Sequence, residues 1–366
     1  MRLQSVQIRG LRCIDDTVVE VAPQGVWLLG PNGAGKTSVL EALCLLGFGR
    51  SFRGRVSDGL IQRGQTAVEV VATWQDAAER RHVSGLRHEG SQWEARLDGM
   101  GVASLSQLAA PFPVLCFHPD SATVVVGPAE ERRRTLDWLA FHVEPRFAEW
   151  ARRFNRALKQ RNALLRSSAP NGEFVPWERE MSAMATSMTS ARSAAIEVWA
   201  PALDAVWPHL VGNAARRPML TLRPGWRSDD AVLEDLLLLS RDRDRELGYT
   251  TVGPQRADLA LGSPFDVDSA QLSRGQAKVV ALALMLAQAE ALCAQSGERT
   301  LLLLDDLQAE LDLERQTAVL QWVERAGYQA VITGTRIDAA HRDRTAGWAV
   351  FHVEHGRVLP AAPLAQ

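Results

Sequence analysis

The spacing of apolar and polar residues divides the chain into three stretches. Leu3, Val6 and Ile8 begin a β-rich stretch that residues 18–21 continue, with Arg12 in the turn between. The apolar run VWLL at 26–29 reads as a strand, and 38–47 reads as a helix with Val39, Leu43 and Leu46 on one face. Alternating runs at 67–74, 81–86 and 92–97 predict an antiparallel sheet. A further apolar run, 114–117, ends at His118-Pro119-Asp120.

From about residue 129 the period becomes helical. Phe147, Trp150, Phe154, Leu158 and Leu165 share helical spacing, 179–200 is a second long helix, and 229–247 is a third helical segment of mixed charge. The β pattern resumes near Tyr249, where 250–261 reads as strand, turn at Gly253-Pro254, and strand. A long helix opens at 271, and 300–304 is a fully apolar strand that delivers Asp305 and Asp306. The predicted organisation is α/β. Mixed sheets come from residues 1–128 and 249–366, and a mainly helical lobe is inserted at 129–248.

The junction at 30–37, GPNGAGKT, fits G-x-x-x-x-G-K-[ST] with a strand before it and a helix after it. Glycines let the backbone wrap closely around phosphates, and a helix start aims its positive end at them. Gly30, Pro31, Asn32, Gly33, Ala34, Gly35, Lys36, Thr37 and Ser38 are therefore the candidate nucleotide-binding run. Lys36 has the reach for the β- and γ-phosphates of ATP, and the Thr37 hydroxyl is a candidate Mg²⁺ ligand. An ordinary Gly-rich turn is the competing account, and the full match in context sets it aside.

Composition narrows the class. A chain of 366 residues with 46% hydrophobic and 23% charged residues is a globular chain of two domains, or of one domain with an insertion. A formal net charge of −2 requires any nucleic-acid contact to come from a local basic patch. Two stretches qualify. Residues 49–64 hold Arg50, Arg53, Arg55 and Arg63 against Asp58 alone. Residues 146–166 hold seven basic residues and one acid, Glu149, with Arg152, Arg156 and Lys159 on one face. Each is either a solvated surface or a phosphate-contacting one.

Cys13, Cys44, Cys116 and Cys293 lie far apart with no C-x-x-C, as expected for reduced thiols in the cytoplasm. The N-terminus lacks a signal-peptide core, and the apolar run 279–294 contains Gln288 and Glu290 and is too short to span a membrane. No membrane association is expected.

An apolar strand ending in acids is what a P-loop enzyme needs to hold Mg²⁺ and the attacking water. Asp305 is the expected metal-associated carboxylate and Asp306 the candidate for polarising water. The pair lies about 270 residues beyond Lys36, so an insertion has split the nucleotide domain.

Leu272-Ser273-Arg274-Gly275-Gln276 resembles the LSGGQ signature of ABC-type ATPases, and Ala309-Glu310-Leu311-Asp312 resembles their D-loop. In that superfamily the signature of one subunit caps the γ-phosphate held by another. Ser273, Gly275, Gln276 and Asp312 are accordingly implied cross-dimer contacts. The four motifs in this order are similar to the SMC-related ABC-type heads, and within them the chain resembles the RecF family of bacterial recombination mediators. GRSFR at 49–53, RRRTLDWLAFHVEPRF at 132–147, LKQRNALLR at 158–166 and TVGPQRADL at 251–259 carry that resemblance.

The resemblance implies an ATPase head built from both chain ends and an ATP-dependent homodimer. It implies binding to duplex DNA at gaps or single-strand junctions. It also implies action with RecR and RecO to load RecA onto single strands covered by SSB, in DNA repair, recombination, replication recovery and the SOS response. Lys36, Asp305, Asp306, Ser273 and Thr335 are the candidates for slow hydrolysis, and Arg12 is placed near the base or α-phosphate.

The chain departs from the general ABC pattern at four points. Asp306 stands where transporters use Glu. No Q-loop glutamine follows the 114–117 strand, so His118 or Asp120 would serve. Thr333-Gly334-Thr335 replaces the switch histidine, with Thr335 the expected substitute. Gln308-Ala309 precedes the D-loop Glu-Leu-Asp. Two other function classes stay open, a transporter-type ATP-binding subunit and a nucleotide-regulated protein scaffold with little DNA contact of its own.

Overall fold

The structure is a computed structural model, and it describes residues 1–53, 59–90, 92–212, 215–227, 231–345 and 347–361. Its strands in chain order are β1 (Arg2–Leu11), β2 (Ile14–Glu20), β3 (Gly25–Leu29), β4 (Val68–Gln75), β5 (Arg81–His88), β6 (Trp93–Leu97), β7 (Met100–Gly101), β8 (Val114–Phe117), β9 (Leu220–Arg223), β10 (Asp258–Leu261), β11 (Leu301–Leu304), β12 (Ala330–Gly334), β13 (Trp348–Glu354) and β14 (Arg357–Pro360).

Residues 1–121, 208–211 and 282–366 form one compact unit, built on two six-stranded sheets. The first sheet runs β2-β1-β4-β5-β6-β7 and is antiparallel throughout. Burial alternates along β1, β2 and β4, as it must when one sheet face meets the core and the other meets water. The second sheet runs β14-β13-β3-β12-β11-β8, with every pairing parallel except β13–β14. All four residues of β11 and all five of β12 are buried, which explains why β11 reads as a continuous apolar run.

Between the sheets lies the helix Lys36–Phe48, which touches β1, β4 and β5 on one side and β8 and β12 on the other. Its burial extends well beyond the expected apolar face, from Ser38 through Gly47. Gly47 explains how closely it sits on β8: a Cβ there would lie 2.7 Å from the Val114 side chain.

Residues 122–207 and 212–281 form the second unit. Its long helices are Ala129–Val143, Phe147–Leu165 and Val175–Val211, whose last turn groups with the first unit. The helix expected at 179–200 is therefore longer, and the one expected over 229–247 is two short helices, Leu233–Leu239 and Arg241–Leu247. The paired strands β9 and β10 also lie here. The first of the two strands expected at 250–261 does not form; Pro254–Arg256 is a 3₁₀ turn after Gly253 at φ +124°, a conformation glycine tolerates and a strand does not use.

The packing boundary near residue 281 falls later than the sequence-based boundary at 248/249. It lies within the helix Arg274–Ser296. This 23-residue helix is long and apolar enough to cross a membrane, and 78% of its most apolar window is buried within the protein. That burial is the mark of a core helix.

Candidate nucleotide site

Because β3, β12, β11 and β8 run parallel, their C-terminal ends share one edge of the sheet, the edge where α/β sheets bind ligands. The register places Leu304 beside both Ile332 and Phe117, and Gly334 beside Leu29. Gly30, Asp305, Thr333 and His118 therefore emerge together. They border a cleft of about 620 Å³ lined by Lys36, Thr37, Asp305, Asp306, Thr333, His118 and Asp120, with Arg12, Cys13, Phe52 and Arg53.

The phosphate loop holds the geometry its glycines were predicted to allow. Gly30 sits at φ +155°, and a Cβ there would lie 2.1 Å from the Val353 carbonyl oxygen. Gly35 sits at φ +115° against the Cys13 sulfur. Gly33, at φ +80°, has open space where a Cβ would stand, which leaves the backbone approachable. The Lys36 ammonium donates to the carbonyls of Gly30 at 2.6 Å and Pro31 at 2.9 Å. Burial lowers its pKa from the ordinary lysine value, and the nearby Asp306 and Asp305 carboxylates pull it back up. Within the loop, the Ala34 N–H donates to the Pro31 carbonyl and the Ser38 N–H to the Gly35 carbonyl.

Opposite the loop, the Thr37 hydroxyl donates to Asp305 Oδ1 at 2.9 Å and lies 3.2 Å from Oδ2. Thr333 donates to Asp305 Oδ1 at 2.8 Å and accepts from the Asp306 backbone N–H at 2.7 Å. Asp306 takes a left-handed conformation at φ +50°, between β11 and the short helix Leu307–Glu310. Burial, with the Asp305 carboxylate beside it, raises the Asp306 pKa above the usual value, and Lys36 opposes that shift. The donor set suits a hard divalent cation and a polyphosphate: a hydroxyl and a carboxylate in contact, a lysine within electrostatic range, and an N–H-rich loop.

The expected residues divide by position. Lys36, Thr37, Asp305, Asp306 and Arg12 all border the cleft, as do both Q-loop candidates, His118 and Asp120. Thr335 is exposed and does not line it; Thr333, two residues earlier, is buried and does. Arg12 is held by Glu41, which the sequence reading missed although Glu41 is the one acid in that helix.

Gly356 was also unforeseen. With His355 it forms the tight turn between β13 and β14, at φ +48° and +77°, and its N–H donates to Ala34 O at 2.8 Å. The end of the chain thus braces the phosphate loop.

Ser273 and Gln276 lie in the second unit as a reciprocal cap: Ser273 Oγ accepts from the Gln276 N–H, and Gln276 Oε1 accepts from the Ser273 N–H. Ser273 and Gly275 are exposed, and a Cβ on Gly275 would meet nothing within 4 Å. Asp312 caps the helix Leu313–Ala326 by accepting from the Arg315 N–H.

Of the DNA candidates, Arg50, Arg53, Arg152, Arg156 and Lys159 are exposed, and Arg55 lies outside the described residues. The basic count of 146–166 overstates the surface charge. Arg161 is fully buried between Glu178 and Asp244, and Arg153 pairs with Glu180 and Glu149.

Comparison with known proteins identifies the family. The RecF/RecN/SMC N terminal domain family matches residues 2–357. A DNA replication and repair protein RecF from Xanthomonas euvesicatoria is 46% identical over 92% of both chains. One from Stenotrophomonas maltophilia is 44% identical over 98% of this chain and 99% of its own. Among solved structures, the recombination mediator RecF-ATP of the RecFOR pathway superposes with a TM-score of 0.86 at 22% identity, covering 99% of this chain and 98% of that one. An Smc head bound to ScpA reaches 0.57 at 14%, covering 99% and 97%. The fold is thus the ABC-type head of RecF and Smc, with a helical region, and the chain belongs to the RecF family of DNA replication and repair proteins.

Proposed function

We propose that the chain is an ATP-switched, DNA-binding recombination mediator. The observation that carries this is the bond from Thr37 to Asp305 across the cleft, joining loop and acidic strand in a RecF-family chain. The loop N–H groups and Lys36 bind the triphosphate of ATP, Lys36 exchanging its two carbonyl partners for phosphate oxygens. Thr37 and Asp305 would hold Mg²⁺, which supplies positive charge against the β- and γ-oxygens. Asp306 orients water and takes its proton. Its short carboxylate suits slow turnover, so hydrolysis serves as a release step.

In this scheme Ser273, Gly275, Gln276 and Asp312 of a second copy close on the γ-phosphate. ATP is then a ligand that selects the dimer. Closure sets Arg50, Arg53, Arg152, Arg156 and Lys159 of two copies to clamp duplex DNA at gaps through its phosphates, in the cytoplasm. RecR, RecO, SSB and RecA would act on the same DNA. The burial of Arg161 between Glu178 and Asp244, and the surface pairing of Arg153 with Glu180, favour as a second reading a nucleotide-regulated scaffold with little DNA contact.

Anisotropy of a labelled gapped duplex, with and without ATP-Mg²⁺, tests the proposal in wild type, Lys36→Ala and Ser273→Arg. Binding that needs ATP and is lost in both variants supports the clamp. Equal ATP-independent binding in all three overturns it, and no binding in any favours the scaffold.

A further inference from the structure

The helix Lys36–Phe48 contains one acid, Glu41, and its side chain is 0% exposed. Three segments converge on that carboxylate. Arg12, in the turn between β1 and β2, donates through Nε to Oε2 at 3.0 Å and through Nη2 to Oε1 at 2.8 Å. Ser51, at the start of the arginine-rich loop, donates from Oγ to Oε1 at 2.5 Å. Between them, the helix that carries Lys36 and Thr37 supplies the acceptor.

The arrangement is costly. A carboxylate without water is unfavourable unless paired and hydrogen-bonded, and Arg12 takes φ +55°, uncommon for a residue with a side chain. A two-point Arg–carboxylate contact fixes the plane of a guanidinium, not only its charge. Arg12 and Arg53 both line the nucleotide cleft, while Glu41 does not. Glu41 therefore acts on that cleft only through the groups it holds.

We infer that Glu41 is a positioning residue of the nucleotide site. It sets the Arg12 guanidinium against the bound phosphates and, through Ser51, ties the start of the arginine-rich loop to the same carboxylate. Nucleotide occupancy and the placement of Arg50 and Arg53 are joined at this one side chain. The inference rests on the nucleotide reading above. Coupling of this kind is reciprocal, so DNA held by the loop tightens ATP by the factor that ATP tightens DNA.

The test is calorimetric titration of the full chain with ATP-Mg²⁺, with gapped-duplex anisotropy alongside, in wild type, Glu41→Gln, Arg12→Ala and the double variant. Glu41→Gln keeps the length of the side chain and removes its charge. Each single variant weakens ATP about tenfold, within the usual range of coupling between sites, and the double variant is no weaker than the poorer single. The increment in duplex affinity that ATP produces disappears in Glu41→Gln. A merely structural role would instead lower the melting temperature and leave the two losses multiplying.

If Glu41→Gln does not fold, Glu41→Asp takes its place in the cycle; it keeps the charge but reaches one guanidinium nitrogen, and a partial loss is expected. ATP affinity within about twofold of wild type, or multiplicative losses, overturns the inference. Absence of ATP binding in the wild type overturns the nucleotide reading itself and this inference with it, so the two failures are distinguishable.

Discussion

Thr37 and Asp305 lie 268 positions apart, and the hydroxyl of one donates to the carboxylate of the other at 2.9 Å. The contact closes a nucleotide domain that an inserted helical lobe had divided. It also places the two candidate Mg²⁺ ligands of the chain in direct contact.

Thr333 holds this pair in place. Its hydroxyl is buried, donates to Asp305 and accepts from the Asp306 backbone. Thr333→Val keeps the shape and removes both bonds, leaving the Asp306 N–H without its acceptor. The expected loss is about 1–3 kcal/mol in urea unfolding, with a fall in ATP turnover. Turnover equal to wild type would remove Thr333 from the site.

Asp306→Asn should separate stability from activity. The folded pKa of Asp306 is raised, so its contribution to stability is fully present below pH 3.8 and is lost as pH rises through the folded value. Above that value the aspartate side chain therefore costs the folded protein stability. Asparagine removes that cost and tolerates φ +50°. Urea unfolding across pH should show the variant more stable than wild type at pH 7, with the gain shrinking as pH falls towards 4. Loss of a catalytic base is worth roughly 10²-fold or more, and steady-state ATP hydrolysis should fall by that amount.

Gly356→Ala tests the brace on the phosphate loop. The added Cβ would lie 1.9 Å from the Cys13 carbonyl oxygen, at φ +77°. Backbone must move, and the Gly356 bond to Ala34 moves with it. Destabilisation of at least about 2 kcal/mol is expected, with ATP affinity reduced more than for an alanine at the exposed Gly99, which does not line the cleft. Thermal melting and ATP titration read both effects.

Neutralising Arg152, Arg156 and Lys159 together addresses the DNA surface. All three are exposed, so folding should be little affected. Each phosphate contact contributes about 0.9 to the slope of log affinity against log salt, so a slope smaller by up to about 2.7 is expected if all three touch DNA. An unchanged slope, measured by anisotropy between low and moderate salt, would favour the scaffold reading.

The strands around the site, the phosphate loop and the acidic pair were legible in the chain because each rests on short-range physics. Glycines permit positive φ within a few residues, fully buried strands need unbroken apolar runs, and a helix start needs a cap, as Ser273 provides. Ser273's role across a dimer is a separate matter, resting on resemblance.

Other assignments depended on which strand lies beside which. Thr335 and Thr333 are equivalent as sequence; the pairing of Leu304 with Ile332 brings Thr333 to Asp305 and leaves Thr335 exposed. Arg161 counted as surface charge until Glu178 and Asp244 from other helices enclosed it. Glu41 found Arg12 29 positions away, and Gly356 reached Ala34 across nearly the whole chain. Local pattern determined the elements and the phosphate loop, because backbone sterics and burial act over a few residues. Only the tertiary structure decided the partners of Asp305, Glu41 and Gly356, because a side chain meets a distant one only when packing has fixed the register between their elements.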